Sequence, residues 1–334
     1  MPPRRGVIVG AGGIARRSHL PAYRSGDGVA HRLRIVAAID PAARTGDLDG
    51  IPIVASPRDL ASFDPIDFVD ICTPTASHYE LTLSALEAGR HVLCEKPVAV
   101  TRAEAARLTA TARASGRVLM PCHQYRNNPA WQQLRTWLEA GAIGRWHLAE
   151  FHVFRTEADR GAHTMGVPWR GRQAESRGGV MLDHGTHLFY QLVDVAGMPR
   201  SVQAHTARLG HAGYDVEDTA HVVLDFGDRL GVLFLTSAAR ERDTRIRFIG
   251  EDGAIEWIGG RLERRGRHGT ESIDFSAELD KAAYYRWFAA LFHRFADAMD
   301  TGDAEAGLED IMRVATLLET AYASAGEGCR VPVA

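Results

Sequence analysis

The sequence predicts a two-domain α/β protein divided near residue 122. Three observations carry this expectation. Short apolar runs alternate with helical patterns over the first third, and a glycine-rich turn follows the first of those runs. From residue 200 to 275 the pattern is mostly β, with Gly or Asp turns between strands. Strand–helix alternation implies a parallel sheet covered on both faces. Successive strands joined by tight turns imply an antiparallel or mixed sheet.

Taken in order, "RGVIVG" reads as a strand, 13–25 as a helix and "LRIVAAID" as a second strand. "DFVDICTP", "RHVLCEK" and "RVLMPCH" read as further strands, separated by helical segments at 76–88 and 102–115. Both segments carry apolar residues three and four apart, and Thr101 with Glu104 forms a capping box at the start of the second. A helix at 128–140 leads to the strand pattern "RWHLAEFHVF", then to a polar Gly- and Arg-rich stretch at 156–178 and a helical pattern from 179 to 196. After the β-rich stretch, helices at 281–300 and 305–325 close the sequence.

At 334 residues the chain has room for two sizeable cores, and 45% hydrophobic with 24% charged content is that of an ordinary soluble globular protein. A net charge of -3 gives no pull toward nucleic acid or an anionic membrane. No run approaches the ~20 apolar residues of a membrane span. The four cysteines show no CxxC spacing, and three lie in strand-like runs, which reads as reduced thiols in a cytoplasmic protein. The basic start followed by small and apolar residues imitates a signal peptide, but it lacks a small-residue cleavage site. Its spaced glycines serve a different purpose.

In "VIVGAGGIA", Gly10, Gly12 and Ala15 form G-x-G-x-x-A directly after a strand and at the opening of a helix. The first glycine permits the tight turn, the second lets backbone approach a pyrophosphate, and Ala15 lets helix pack on strand. Asp40 ends the second strand, where an acid accepts hydrogen bonds from a ribose 2′-hydroxyl and repels a 2′-phosphate. Arg44 lies close enough to serve a 2′-phosphate instead, but reads better as a solvated loop charge. The expected cofactor is therefore NAD, with NADP less favoured.

Only two of the 39 cationic residues are lysines, Lys96 and Lys281. Lys96 ends the apolar run "HVLCEK" and precedes Pro97. Lys releases and shares protons, whereas Arg stays charged. Ligands of open α/β sheets bind beyond the carboxyl ends of the strands, so "CTPTASH" and "EKP" fall on the cofactor side. In "GGVMLDHGTH", Asp183 and His187 are four apart and share a helix face, and a carboxylate beside an imidazole suits general base work. His184 belongs to a different face. Trp169 and Arg170 in "VPWRGR" suit a sugar ring and an anionic group, respectively.

These segments occur in one order and at ordinary separations: G-x-G-x-x-A, "TPTASH", "EKP", "QYRNNP" and "GGVMLDHGTH". Together, over residues 5–326, the chain resembles the glucose–fructose oxidoreductase / inositol dehydrogenase / rhizopine-catabolism (Gfo/Idh/MocA) family. The resemblance implies a Rossmann domain over 1–122 and a substrate-binding and oligomerisation domain over 123–334. The second domain is then α+β, with a large open, predominantly antiparallel sheet that joins copies into a homodimer or homotetramer. It also implies hydride transfer at a secondary carbinol of a sugar, cyclitol or related polyol. Cofactor contacts are implied at Gly10, Gly12, Gly13, Ile14, Ala15 and Asp40, at Thr73, Pro74, Thr75 and His78, and at Glu95, Lys96 and Pro97. Lys96, Asp183 and His187 are the implied catalytic residues. With Tyr125, Arg126, Trp169 and Arg170 they line the substrate side. Asn127 stands where the family usually has an aromatic. A cis Lys96–Pro97 bond is a further expectation.

Three other readings compete: a redox-neutral enzyme that oxidises a sugar transiently, a metal enzyme using His123, Asp183, His184 and His187, and a non-catalytic cofactor-binding regulator. The metal set has no supporting motif and leaves the glycine turn unexplained.

Overall fold

A computed structural model describes residues 2–41, 47–63, 65–159, 166–267 and 269–333. Arg44 lies outside them. The chain divides into two compact units.

The first unit is built on β1 (Arg4–Val9), β2 (Leu33–Ile39), β3 (Asp47–Leu48), β4 (Ile51–Val54), β5 (Phe68–Ile71), β6 (His91–Cys94) and β7 (Leu119–Pro121). Their order in the sheet is β3-β4-β2-β1-β5-β6-β7. All neighbours pair in parallel except β3, which runs against β4 at the edge. Strands β3 and β4 carry no alternation long enough to read from sequence. The capping box forms as expected: the Glu104 N–H donates to Thr101 Oγ1. The helix opening at the glycine turn is wound as a π-helix over Ala15–His19 before one α-turn, Leu20–Tyr23.

The sequence division assigns the helix Tyr285–Thr301 to the second domain, yet it packs in the first unit. Its apolar stripe of Phe288, Leu291, Phe292 and Phe295 joins the core made by Ile8, Ala15, Tyr23, Phe68 and Leu93. Tyr23 stacks on Phe292 at 4.4 Å. Apolar periodicity marks a face for burial without saying which sheet buries it.

The second unit carries β8 (Trp146–Phe154), β9 (Ser201–Ala207), β10 (Thr219–Asp225), β11 (Leu230–Thr236), β12 (Asp243–Gly250), β13 (Gly253–Ile258), β14 (Arg261–Gly266), β15 (Gly269–Asp274) and β16 (Val331–Pro332). They form one open sheet in the order β15-β14-β13-β12-β8-β11-β10-β9-β16. Every pair is antiparallel but β8 with β11. Alternation sends Ala149, Phe151, Val153, Leu233, Leu235, Ile246 and Phe248 to one buried face. Trp131, on the helix Pro129–Glu139, lies 6.4 Å from the rings of Phe151 and Phe248. The opposite face presents half-buried His152, His221 and Phe234, with rings 4.6–4.8 Å apart.

Candidate active site

The glycine turn shows why its residues are small. Gly10 sits at φ +95°, and a Cβ there would lie 2.8 Å from the Cys72 carbonyl oxygen. Among the described residues, no atom lies within 4 Å of where a Cβ on Gly12 would stand. A Cβ on Gly13 would meet only the end of the Arg17 side chain, at 2.7 Å. Ala15 is fully buried and Ile14 packs beside it on the core. Asp40 Oδ2 accepts from the Ala11 N–H at 2.9 Å, so the acid stands directly against the turn. An open cradle beside a carboxylate fits a pyrophosphate with its ribose diol, as in dinucleotide sites.

At the carboxyl ends of β5 and β6, two loops are pinned together by His78. Its Nε2 lies 2.9 Å from the Thr73 carbonyl and its Nδ1 2.8 Å from the Pro97 carbonyl. Burial lowers its pKa, and the two carbonyls pull the other way without prevailing. Thr75 is buried beside it, and Ser77 Oγ donates to Thr73 Oγ1 and to the Pro74 carbonyl. The Lys96–Pro97 bond is cis, as expected.

Beneath this turn lies a group that the motifs do not announce. His19 is fully buried, with Nδ1 2.8 Å from Asp70 Oδ2 and Nε2 3.1 Å from Glu95 Oε1. Tyr23 Oη donates to the same Asp70 oxygen, and Glu95 Oε2 accepts from the Lys96 N–H at 3.2 Å. Burial pushes the His19 pKa down, but the neighbouring Asp70 carboxylate outweighs it and the net shift is well upward. Burial pushes Glu95 up, and the hydrogen bond and charge of His19 bring it below its ordinary value. The Cys72 thiol, pushed to about 12 by burial, stays protonated, so the two carboxylates hold the imidazolium. Phe288 and Phe292 close over it at 4.6 and 5.5 Å. Groups of His, Cys and acid residues close enough to share an ion, among the described residues, centre on His19 with Asp70 and Cys72 or with Glu95 and Cys122. His123, Asp183 and His184 are in neither group.

In the second unit the "GGVMLDHGTH" segment starts as a π-helix, Met181–Gly185, and continues as Thr186–Ala196. Its glycines are dictated by contact: a Cβ on Gly179 would lie 1.8 Å from the Glu217 carbonyl, and one on Gly178 2.1 Å from Tyr322 Oη. Glu217 Oε1 accepts from Tyr322 Oη at 2.8 Å and from the Met181 N–H at 3.2 Å. Burial raises its pKa.

Asp183 forms an ion pair with Arg170, whose Nε lies 3.2 Å from Oδ2. The Arg170 guanidinium stacks 4.1 Å over Trp169. His187 is buried, with Nδ1 2.9 Å from Tyr190 Oη and its ring 4.2 Å from that of Tyr125. Tyr190 Oη also accepts from the Tyr125 N–H, and Arg126 lies 5.3 Å over the Tyr190 ring. Arg126 is forked onto Asp194 by two bonds of 2.7 Å, so in this unit it braces the tyrosine that braces His187. Tyr125, His184 and His187 line one cavity with Val153, Arg155, Leu188, Gln191, Thr244, Ile246 and Trp257. His184, read from its spacing as facing elsewhere, shares this cavity with His187, three positions on and therefore a neighbour on the helix surface.

Residues 4–123 match the GFO/IDH/MocA oxidoreductases with an NAD-binding Rossmann fold, and residues 131–256 match the GFO/IDH/MocA C-terminal domain. The chain belongs to the Gfo/Idh/MocA family. Among relatives, D-glucoside 3-dehydrogenase of Escherichia coli is 31% identical over 259 residues, 71% of this chain and 70% of that protein. The 1,5-anhydro-D-fructose reductase of Ensifer adhaerens is 29% identical over 95% of both chains. An Agrobacterium radiobacter oxidoreductase solved with NAD+, L-tartaric acid and magnesium shares the fold with a TM-score of 0.84 at 24% identity, over 99% of this chain and 98% of that one. This Gfo/Idh/MocA protein is thus an oxidoreductase with an N-terminal NAD-binding Rossmann domain and a mostly antiparallel second sheet. No described helix is long and apolar enough to cross a membrane.

Sequence reasoning missed His19, Asp70, Tyr190, Arg155 and Glu217. A usable signal existed for two of them. His19 follows the glycine motif on its own helix, and Arg155 stands where strand alternation calls for an apolar residue.

Proposed function

We propose that this protein moves a hydride between NAD and a secondary alcohol or ketone of a sugar, cyclitol or related polyol. In this reading Lys96, Asp183 and His187 serve the reacting oxygen. The observation that carries it is the setting of His187, buried at a cavity wall with Nδ1 committed to Tyr190. When Nδ1–H donates to Tyr190 Oη, Nε2 is the atom that takes the carbinol proton. Asp183, held by Arg170, is the acceptor that orients a substrate hydroxyl, and Lys96 donates to the oxygen while charge develops there. Bound nicotinamide supplies the hydride acceptor.

Gly10, Gly12, Gly13, Ile14, Ala15 and Asp40 would hold the dinucleotide, and the Thr73–Pro74–Thr75 and Glu95–Lys96–Pro97 turns would flank its nicotinamide half. His78 is then a positioning residue, because both ring nitrogens face backbone carbonyls of those turns. Tyr125, Trp169 and Arg170 present aromatic and cationic faces suited to a sugar ring. Relatives named for glucoside, anhydrofructose, inositol and apiose substrates support the polyol class. The test is NADH formation from NAD with a panel of sugars and cyclitols. His187→Asn should lower turnover about 10²–10⁴-fold while NADH still binds. A panel without turnover, in protein that binds NADH, would count against the reading.

We also propose a homodimer or homotetramer in the cytoplasm, assembled through the open face of the second sheet. The half-buried His152, His221 and Phe234 on that face support it. Light scattering on the purified protein decides the oligomer.

A further inference from the structure

Strand β8 sends Ala149, Phe151 and Val153 to the buried face, and the next residue in that alternation is Arg155. It is 7% exposed and lines the cavity shared with His187. Its Nη1 donates to the Phe154 carbonyl, the Asp243 carbonyl and Thr244 Oγ1 at 2.7, 2.9 and 3.0 Å. Those oxygens are neutral. Nε is buried with no acceptor, and no described residue accepts from Nη2.

No carboxylate among the described residues pairs with this guanidinium. The acids that bear on it are already engaged, Asp183 by Arg170 at 3.2 Å and Asp243 by Arg245 at 2.8 Å. Burial lowers its pKa to about 10, with the cation Arg242 the next influence, so it remains charged at neutral pH. A buried charge without a counter-charge is costly even after the surroundings relax. A structural peg for three neutral oxygens needs no such charge. A ligand anion would supply what the protein omits.

We infer that Arg155 is a specificity residue for an anionic substituent, and that the polyol substrate carries a carboxylate as in a uronic or aldonic acid. This rests on the dehydrogenase reading for the word substrate, but not for the binding of the anion. The donors left on Arg155, Nε and Nη2, form the edge that pairs in parallel with the two oxygens of a flat carboxylate. The cavity sets apolar Val153, Leu188, Ile246 and Trp257 beside Tyr125, His184, Gln191 and Thr244, which suit hydroxyl groups, and Arg155 is the one guanidinium among its described lining residues, so the anion anchors one end of the molecule.

The test compares matched probes on the protein with NAD: D-glucuronate with D-glucose, D-galacturonate with D-galactose, and D-glucose 6-phosphate as a phosphate arm. Binding to the NADH complex is measured by calorimetry beside kcat/KM. The acid of at least one pair should bind and turn over about tenfold or more better than its neutral partner. Arg155→Met should remove most of that advantage through KM, with the neutral sugar little changed. Arg155→Lys should recover part of it. Acid binding without turnover would sustain the anion site and sink the dehydrogenase reading for these sugars. Turnover of neutral sugars with no preference for acids would sustain the dehydrogenase and overturn the anion site. Preference for the phosphate arm, or no binding of either acid, would overturn it as well. The wild-type comparison needs no variant, so a poorly folding Arg155→Met leaves the test intact.

Discussion

His19 Nε2 lies 3.1 Å from Glu95 Oε1, and the other oxygen of that carboxylate accepts from the Lys96 N–H at 3.2 Å. The backbone of the lysine turn is therefore tied to a fully buried imidazolium whose second nitrogen is held by Asp70. The network fixes where the turn sits before any ligand arrives.

Stability should follow the charge on His19. A proton held more tightly in the folded state than in the unfolded chain stabilises fully below the unfolded pKa near 6.5, and that stability fades as pH rises toward the raised value. Glu95, shifted down, contributes above its unfolded value and loses that contribution as pH falls through its folded one. The melting temperature should therefore decline as pH rises above the unfolded value of about 6.5. His19→Gln should flatten this slope and cost about 3–5 kcal/mol, because two buried carboxylates lose their cation. Calorimetric scans across pH give both numbers, and an unchanged slope in the variant would assign it elsewhere.

Asp40 should make the protein prefer NADH over NADPH by about tenfold or more, through repulsion of the 2′-phosphate. Fluorescence titration with each reduced cofactor measures it. Asp40→Ser should narrow the gap, and a wild-type preference for NADPH would shift attention to Arg44.

Replacing His187 by Asn should lower turnover about 10²–10⁴-fold with little change in NADH affinity. Tyr190→Phe removes the hydroxyl that meets Nδ1 and should cost less, about five- to tenfold, the worth of one hydrogen bond. Steady-state rates with a responsive sugar, beside NADH titrations, separate the two effects. Equal losses in both variants would make the tyrosine more than a support.

Lys96→Arg should be severely impaired despite keeping the charge, since a guanidinium is bulkier and does not release its proton. Single-turnover rates isolate the chemical step. Near-normal rates would remove the reason offered for one of the two lysines in this chain.

Gly179→Ala should destabilise by about 1–3 kcal/mol or more, because the added methyl meets the Glu217 carbonyl at 1.8 Å, and backbone yields little. Urea denaturation reads it directly. Gly12→Ala, with no described atom within 4 Å of the added methyl, should leave stability nearly unchanged and weaken cofactor binding instead.

The sequence by itself determined the parts whose physics is local. Gly10 takes the positive φ that a glycine allows, Asp40 stands at the end of the second strand, and the Thr101–Glu104 box closes within four residues. Alternation alone separated the covered face of β8 from its open one. Only the tertiary structure decided which distant groups share a charge. His19, Asp70 and Glu95 come from three segments, and their meeting depends on how β1, β5 and β6 order in the sheet. The helix Tyr285–Thr301 covers them from the far end of the chain. Arg155 reads as one arginine among 37 until strand pairing buries it and the acids near it are seen to be taken. Backbone geometry and periodicity are written in neighbouring residues, whereas the partner of a buried charge is set by which surfaces the fold brings together.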